Sequence, residues 1–272
     1  MKIPSITLRG GLAAIIVVLA SHAGAADVSL PENIQAAKMI TFCTDVGFPP
    51  WEMLSRETQK PEGFDIDIAA AVAMALGVES THKNISFDGL IPALQAGQCD
   101  AIISGFFDKP ERRKVVDFAN YAITGTALIV KTDSTMSLQT LKDLSGHNIA
   151  VGIGTAGEGL LQEANDALKA EGKPEITTVS LPTSADAFQQ LSANLVEGYL
   201  GSSDQAAYYN KQNPGSVKLA GPALNQFPTG IATLPSNKAL HEAFSAAIEK
   251  IKADGDYERI LKTWSFEDLA LK

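Results

Sequence analysis

The 272-residue sequence carries 22 lysines and arginines against 31 aspartates and glutamates, a net charge of −9, and 45% of its residues are hydrophobic. Such a chain repels polyanions, which excludes nucleic acid and anionic lipid surfaces as partners. Its length supplies core for one large domain or two modest ones.

Residues 1–25 read as a secretory signal peptide, with Lys2 and Arg9, an apolar run from Gly11 to Ala20, and small residues through Ala23, Gly24, Ala25 and Ala26. The run is too short to span a bilayer comfortably, cleavage is expected after Ala25 or Ala26, and no cysteine stands there to take a lipid. Without the leader 20 bases face 31 acids, a net charge of −11, and the mature chain is expected to be soluble in the periplasm. No later apolar run approaches a membrane span.

From Met39 the chain alternates between strand and helix. A strand Met39–Thr44 leads to a turn with Gly47, Pro49 and Pro50. A helix from about Asp65 to Leu76 follows, with Ile68, Val72 and Leu76 four residues apart, acids at its start and Gly77 past its end. A strand near His82–Ile85, a helix Leu90–Ala96 and a strand Ala101–Ser104 complete βαβ units with a mostly parallel sheet.

In Asp100–Phe118, Pro110 suits the first position of a new helix, and Asp108 with Glu111 resembles a capping pair, so a helix is predicted from about Lys109. Arg112 and Arg113 would then sit in a first turn whose dipole they oppose. That arrangement makes sense if an anion binds between them and the backbone N–H groups; the alternative is a solvated basic turn. Cys43 and Cys99 are the two cysteines. Placed near the end of one parallel strand and the start of another, they are expected to be too far apart to pair.

Beyond Ala127–Val130 the pattern repeats: helix Leu138–Leu144, strand Asn148–Gly152, glycine-rich turn Gly154–Gly159, helix to about Ala170, strand Ile176–Ser180, helix Ser184–Leu195, strand Val196–Gly201 and helix Asp204–Lys211. This second α/β set implies a second lobe. Gly230–Pro235, an amphipathic helix Lys238–Ala253 and Tyr257–Trp264 close the chain. Crossings at about Ile123–Leu128 and Pro222–Thr229 would make a two-strand hinge.

The chain resembles the extracytoplasmic solute-binding proteins that serve ABC importers of polar amino acids (bacterial solute-binding protein family 3). The resemblance runs from about Thr41 to Trp264 and rests on Asp45–Glu52 (DVGFPPWE), Gly63–Asp67 (GFDID), Phe87–Leu94 (FDGLIPAL), Asp100–Ser104, Pro110–Arg112, Val116–Phe118, Gly154-Thr155 and Gly230–Ala232, in this order and spacing. It implies an α/β fold of the type II periplasmic-binding-protein kind. Lobe one would be residues 26–123 plus 228–272 and lobe two residues 124–227, closing on a ligand. It also implies an inner-membrane ABC permease as partner, a monomer, no cofactor or metal, and no enzymatic activity.

Carried over by position, the resemblance assigns Arg112 to a ligand carboxylate, which guanidinium grips in two-pronged fashion. It assigns Gly105 and nearby N–H groups to backbone contact with the ligand and Phe48 to an aromatic cover. Trp51 and Phe87 would add apolar wall, plain core packing being the alternative for both.

Three positions depart from the family pattern: Phe107 where a hydroxyl is usual, Ala156 after Gly154-Thr155, and Ser202 where an aspartate usually meets the ligand ammonium. Asp204, two residues on, is either that acid or a helix N-cap. An unpartnered buried ammonium costs several kcal/mol. The departures therefore lead to the expectation of a carboxylate ligand that is apolar, aromatic or a modified amino acid.

His82, His147 and His241 are scattered, without metal-ligand spacing. The Gly152–Gly157 turn lacks the lysine and full glycine spacing of a phosphate loop, and no Gly-x-Ser-x-Gly elbow is present. Periplasmic cyclohexadienyl dehydratases resemble the same fold. In that alternative Glu52, Glu158 or Asp204 would serve as the acid. A soluble ligand-sensing protein is a third reading.

Overall fold

The computed structural model describes residues 30–271. The expected signal peptide and its cleavage site lie outside the described residues. In chain order the first part contains α1 Glu32–Ala37, β1 Met39–Thr44, β2 Gly47–Phe48, β3 Glu52–Leu54, β4 Pro61–Glu62, α2 Phe64–Ala75, β5 Glu79–Asn84, α3 Leu90–Gln95, β6 Ala101–Ile102 and β7 Asp117–Thr124. The second contains β8 Thr126–Lys131, β9 Asn148–Gly152, α4 Ala156–Ala170, β10 Thr177–Leu181, α5 Ser184–Ser192, β11 Gly198–Ser202, α6 Gln205–Gln212 and β12 Val217–Leu219. The chain then returns through β13 Phe227–Thr233, α7 Lys238–Ala253 and α8 Asp256–Trp264.

Two five-stranded sheets result, ordered β5-β1-β6-β13-β7 and β10-β9-β11-β8-β12, with β2, β3 and β4 forming a small third sheet. Each large sheet has a parallel half, β5-β1-β6 and β10-β9-β11, and an antiparallel half beside the crossing strands. The α/β class of the sequence reading holds, with the antiparallel strands sharing each sheet about equally. The antiparallel half arises because β7 and β13 run past one another as the chain leaves and returns.

The helices form where apolar residues recur at three and four. In α7, Leu240, Ala243, Phe244, Ala247, Ile248 and Ile251 make one buried stripe. It packs with Ile40, Phe42 and Ile68 in the first core. In α4, Leu161, Ala164 and Leu168 do the same against Ile149 and Val151 in the second. Thr183 caps α5 by accepting the Asp186 N–H at 3.0 Å.

The chain crosses between sheets twice, side by side. Phe227 pairs with Thr124, the Asn225 side chain accepts the Thr126 N–H at 2.9 Å, and Leu224 N–H reaches the Thr126 carbonyl at 2.8 Å. Gly125 lies where a Cβ would come within 2.0 Å of the Asn225 carbonyl oxygen, so this close approach needs glycine.

Three expectations need correction. The helix predicted from Lys109 is only a 3-10 turn, Arg112–Lys114. Asp108 does not cap it. Its N–H bonds the Pro228 carbonyl at 2.8 Å, and its carboxylate pairs with Arg113 and with Asn120, so the segment is pulled toward β13 before a helix can propagate. The helix predicted at Leu138–Leu144 shrinks to a 3-10 turn, Leu141–Leu144, because the backbone is still extended at Thr140, where a capping box with Asp143 starts the turn. Third, Cys43 and Cys99 are disulfide-bonded, their Cα atoms 5.6 Å apart. Cys99 does not extend the line of β6. It leaves the α3 C-terminal turn through Gly97 at φ +68°, and Asp100 ties back to Thr41 by both backbone and side chain, which folds Cys99 over β1.

Candidate functional site

The ends of β1, β6, β9 and β11 point at one another across the two sheets. This is the switch-point geometry at which open α/β sheets hold ligands. They line a partly open cleft whose free space, counted out into the solvent at its mouth, is about 560 Å³. Asp45, Phe48, Phe87, Gly105, Phe107 and Arg112 line it from the first sheet. Thr126, Thr155, Ala156, Ser184, Leu200 and Ser202 line it from the second, with Gly152, Ile153, Gly157, Pro182 and Gly201.

Eight of the ten residues singled out from sequence meet here: Arg112, Gly105, Phe48, Phe87, Phe107, Thr155, Ala156 and Ser202. Trp51 and Asp204 do not line the cavity. Trp51 is fully buried among Phe64, Phe266 and the Phe48 ring, which is the core-packing alternative. Asp204 lies behind Ser202, and although it holds the N-cap position of α6 its side chain caps nothing.

Arg112 is the cation of the site. Its guanidinium carbon sits 4.0 Å from the Phe106 ring centroid and 5.3 Å from that of Phe87, and Nη1 donates to the Phe107 carbonyl at 3.0 Å. Among the described residues no carboxylate comes within ion-pair distance of it, whereas Arg113 is committed to Asp108. Burial of the guanidinium pushes its pKa down to about 10, Glu111 working in the opposite direction. Among the described residues the guanidinium thus stands desolvated on the cavity wall without a carboxylate partner, a setting in which charge-assisted hydrogen bonds to an anion are strong.

Gly105 behaves differently from the expectation that its N–H meets the ligand. That N–H is donated inward to Asp65 Oδ2 at 2.6 Å. What needs glycine is its φ of +49° and the Phe48 ring, whose Cε1 would lie 2.3 Å from an added Cβ. Phe48 thus packs its ring against Gly105, with Trp51 stacked on it at 6.1 Å and 5°.

On the opposite wall, α4 presents its N-terminal turn. Thr155 occupies the N-cap position, its hydroxyl donates to the Gly152 carbonyl at 2.8 Å, and Glu158 accepts the Gly154 N–H at 2.8 Å. Thr124, Ser202 and Asp204 form a small polar group beside it: Thr124 Oγ1 donates to Asp204 Oδ1 at 2.7 Å, and the Ser202 hydroxyl donates to the same oxygen.

Asp45 is the site residue that sequence reasoning overlooked. It lines the cavity while 6% exposed, and burial raises its pKa to about 6, hydrogen bonds from the backbone opposing and Asp88 and Asp186 adding repulsion. A signal was present: an acid opening the DVGFPPWE stretch immediately after a buried strand. The cavity therefore carries a cation at Arg112, an acid at Asp45, and aromatic walls between them.

Among known proteins, the chain is 33% identical over 233 residues to ABC transporter arginine-binding protein 1 of Escherichia coli K12, covering 84% of this chain and 91% of that one. An ancestral arginine-binding protein solved with arginine superposes with a TM-score of 0.75 at 34% identity, over 84% of this chain and 98% of the other. The ancestral amino acid-binding protein AncCDT-1, a precursor of cyclohexadienyl dehydratase, superposes with a TM-score of 0.74 at 29% identity, over 85% and 97% of the two chains. The profile of the bacterial extracellular solute-binding proteins, family 3, matches residues 40–268, and the chain belongs to that family.

Proposed function

We propose that this protein captures an amino acid or a closely related small carboxylate outside the cytoplasm and delivers it to the permease of an ABC importer. In this reading residues 26–123 with 228–272 form one lobe and 124–227 the other, and a ligand that bridges them favours the closed arrangement because only there does it touch both walls. The leader at residues 1–25 sends the chain to the periplasm, where it acts as a monomer.

The observation that carries the reading is Arg112: a guanidinium on the cavity wall, stacked on Phe106 and Phe87 and, among the described residues, without a carboxylate partner. A ligand carboxylate supplies that partner. Phe48, Phe87 and Phe107 cover the ligand body, and Thr155, Ala156 and Ser202 close the far side, with Gly105 shaping the floor through its close contact with Phe48.

The departures at Phe107, Ala156 and Ser202 lead from the sequence to an apolar, aromatic or modified amino-acid carboxylate, with Asp204 the one acid considered for a ligand ammonium. Asp45 supplies an acid on the cavity wall, so a zwitterionic or dibasic amino acid can be held without a stranded charge. The names of relatives, arginine-binding proteins among them, agree with this class.

A second reading, dehydration of a cyclohexadienyl carboxylate, is favoured by the likeness to AncCDT-1, although that neighbour is itself described as an amino acid-binding protein. Calorimetric titration of ligand-stripped protein with L-arginine, L-glutamine, L-cystine and L-phenylalanine, alongside an assay for aromatic product from prephenate and arogenate, tests both. Saturable binding of one amino acid without product is expected. Product that scales with protein concentration would replace binding by catalysis, and absence of both would sink the proposal.

A further inference from the structure

Two contacts shut the mouth of the cleft, and each sets a glycine on one wall against a side chain of the other. Gly47 of β2 lies against Thr183, the N-cap residue of α5, and Gly154, just before α4, lies against Asp88. Immediate neighbours of all four, Phe48, Phe87, Thr155 and Ser184 among them, line the cleft, while the four residues themselves do not. The two contacts are therefore its lips.

The two glycines are there for different reasons. Gly154 stands at φ +74°, a conformation that favours glycine whatever surrounds it. Gly47 lies outside the left-handed region, so its own backbone does not call for glycine. What calls for it is the opposite lip: a Cβ on Gly47 would come within 2.5 Å of the Thr183 Cβ and 2.6 Å of its Cγ2. Thr183 is not free to turn aside. Its Oγ1 donates to Asp186 Oδ2 at 2.8 Å and accepts the Asp186 N–H at 3.0 Å, so the cap of α5 fixes the side chain.

Ordinary carbon–carbon contact, at about 3.5–4.0 Å, is restored for an alanine at this position only by parting the lips by about 1 Å, of the order of one C–C bond. A ligand longer by one methylene asks for a similar displacement. We infer that Gly47 is a specificity-determining residue: by letting the lips shut onto Thr183 it fixes the length of ligand that fits the fully closed cleft. This rests on reading the two lobes as closing on an amino acid or a related carboxylate. Gly47 and Thr183 act without lining the cleft, through the separation of its two walls, and a ligand that is one methylene too long holds those walls apart.

The test is calorimetric titration with three homologous pairs: L-arginine and L-homoarginine, L-glutamine and L-homoglutamine, L-phenylalanine and L-homophenylalanine. Wild type is expected to bind at least one shorter member more tightly than its homologue by about 10- to 200-fold, the discrimination a fitted pocket achieves for one methylene. Gly47→Ala should weaken the shorter member far more than the longer one and bring that ratio close to one. Adding Thr183→Gly removes the atoms that the new methyl meets and should recover the wild-type ratio; glycine is itself accepted at an N-cap, so α5 keeps its start. The alanine Cβ would also stand 3.2 Å from Asp45 Oδ1, a contact on its own wall that Thr183→Gly does not relieve. A local disturbance of Asp45 therefore weakens binding without rescue. Gly47→Ser brings the same Cβ and serves in its place if Gly47→Ala does not fold. A homologue bound by wild type as tightly as the shorter member in every pair, a ratio preserved in the Gly47 variant, or a lost ratio that Thr183→Gly fails to recover overturns the inference and leaves the binding function standing. If wild type binds none of the six compounds, the proposed function fails and the inference falls with it.

Discussion

Ser104 Oγ donates to Glu52 Oε1 at 2.8 Å, with both residues fully buried directly beneath the floor of the cavity. The same hydroxyl accepts the Asp45 N–H at 2.9 Å. Beside it, Asp65 accepts from the Gly105 N–H and from the Tyr121 hydroxyl, each at 2.6 Å. With donors on both oxygens Asp65 is the ionised member, and Glu52, whose Oε2 has no hydrogen-bond partner, is the one that keeps a proton. Two buried acids thereby fasten the Ser104-Gly105 corner on which Phe48 rests.

Burial is the first cause that lifts both acids, Asp65 to about 6 and Glu52 well above its ordinary 4.5, with each acid acting on the other. The sign follows from proton counting. Between the ordinary and raised values the folded chain binds more protons than the unfolded one, so these groups cost stability as pH rises through and above that window. Glu52→Gln supplies a permanently neutral isostere that still accepts from Ser104. Its melting temperature relative to wild type should improve from pH 5 to pH 8, by up to about 1.4 kcal/mol per pH unit for one proton. A difference that stays constant with pH would mean Glu52 is ionised in the fold.

Arg112 is a liability to the empty protein. Burial holds its guanidinium pKa down to about 10, so the charged form is destabilised in the fold, and only the Phe107 carbonyl and two aromatic rings compensate. Arg112→Met keeps apolar contact with Phe106 and Phe87 while removing the charge. Ligand-free variant is expected to melt higher, by an equivalent of about 1 kcal/mol. It should also lose at least about 2 kcal/mol of ligand affinity, the lower end for truncating one member of a buried charge pair. Scanning calorimetry and titration on the same sample decide it. Unchanged affinity would remove Arg112 from the carboxylate role.

Asp45, at about 6, gives binding its own pH dependence. A cationic ligand group favours the ionised acid, and protonation competes with it. Affinity for L-arginine should therefore fall as pH drops below about 6, approaching tenfold per unit, and hold steady above about 7. Asp45→Asn should flatten the profile at the weaker level. A profile unaltered by that substitution would mean Asp45 does not face the ligand's cation.

Local signals in the sequence located β1, β9 and α7 to the residue. Each carries its own periodicity, and in α7 six apolar positions at three- and four-residue steps leave no other helix face to bury. What escaped was decided by partners far away in the chain. Asp108 and Glu111 have the spacing of a capping pair, but Arg113, Asn120 and the Pro228 carbonyl claim Asp108. Cys99 was set on an imagined straight strand, whereas Thr41 holds the neighbouring Asp100 in a turn. Most of the pocket was readable because its residues follow strand ends in recognisable order. Asp45 was missed as an acid of the site because its burial on the cavity wall, beside Phe87 and facing Asp186 of α5, exists only in the assembled fold.

The Trp51–Asp204 hydrogen bond, 2.8 Å long, joins the first core to the second sheet. It is reinforced by Gln205 Nε2, which donates to the Pro49 carbonyl at 2.9 Å with Gln205 fully buried. In the two-lobe reading neither bond survives opening, so together they favour the closed arrangement before any ligand arrives. Trp51→Phe retains ring packing against Phe64 and Phe266 but strands Asp204 Oδ2 without its donor in the closed form. An unsatisfied buried acceptor costs about 1–3 kcal/mol, and opening lets water satisfy it. The equilibrium of ligand-free protein should move toward the open form. Since only the closed form holds ligand on both sides, apparent affinity should drop by roughly 5- to 30-fold, the equivalent of about 1–2 kcal/mol. Small-angle X-ray scattering reads the first effect as a larger radius of gyration that contracts on saturation with ligand, and titration reads the second. A variant with wild-type radius and wild-type affinity would mean that Trp51 serves only to pack the core.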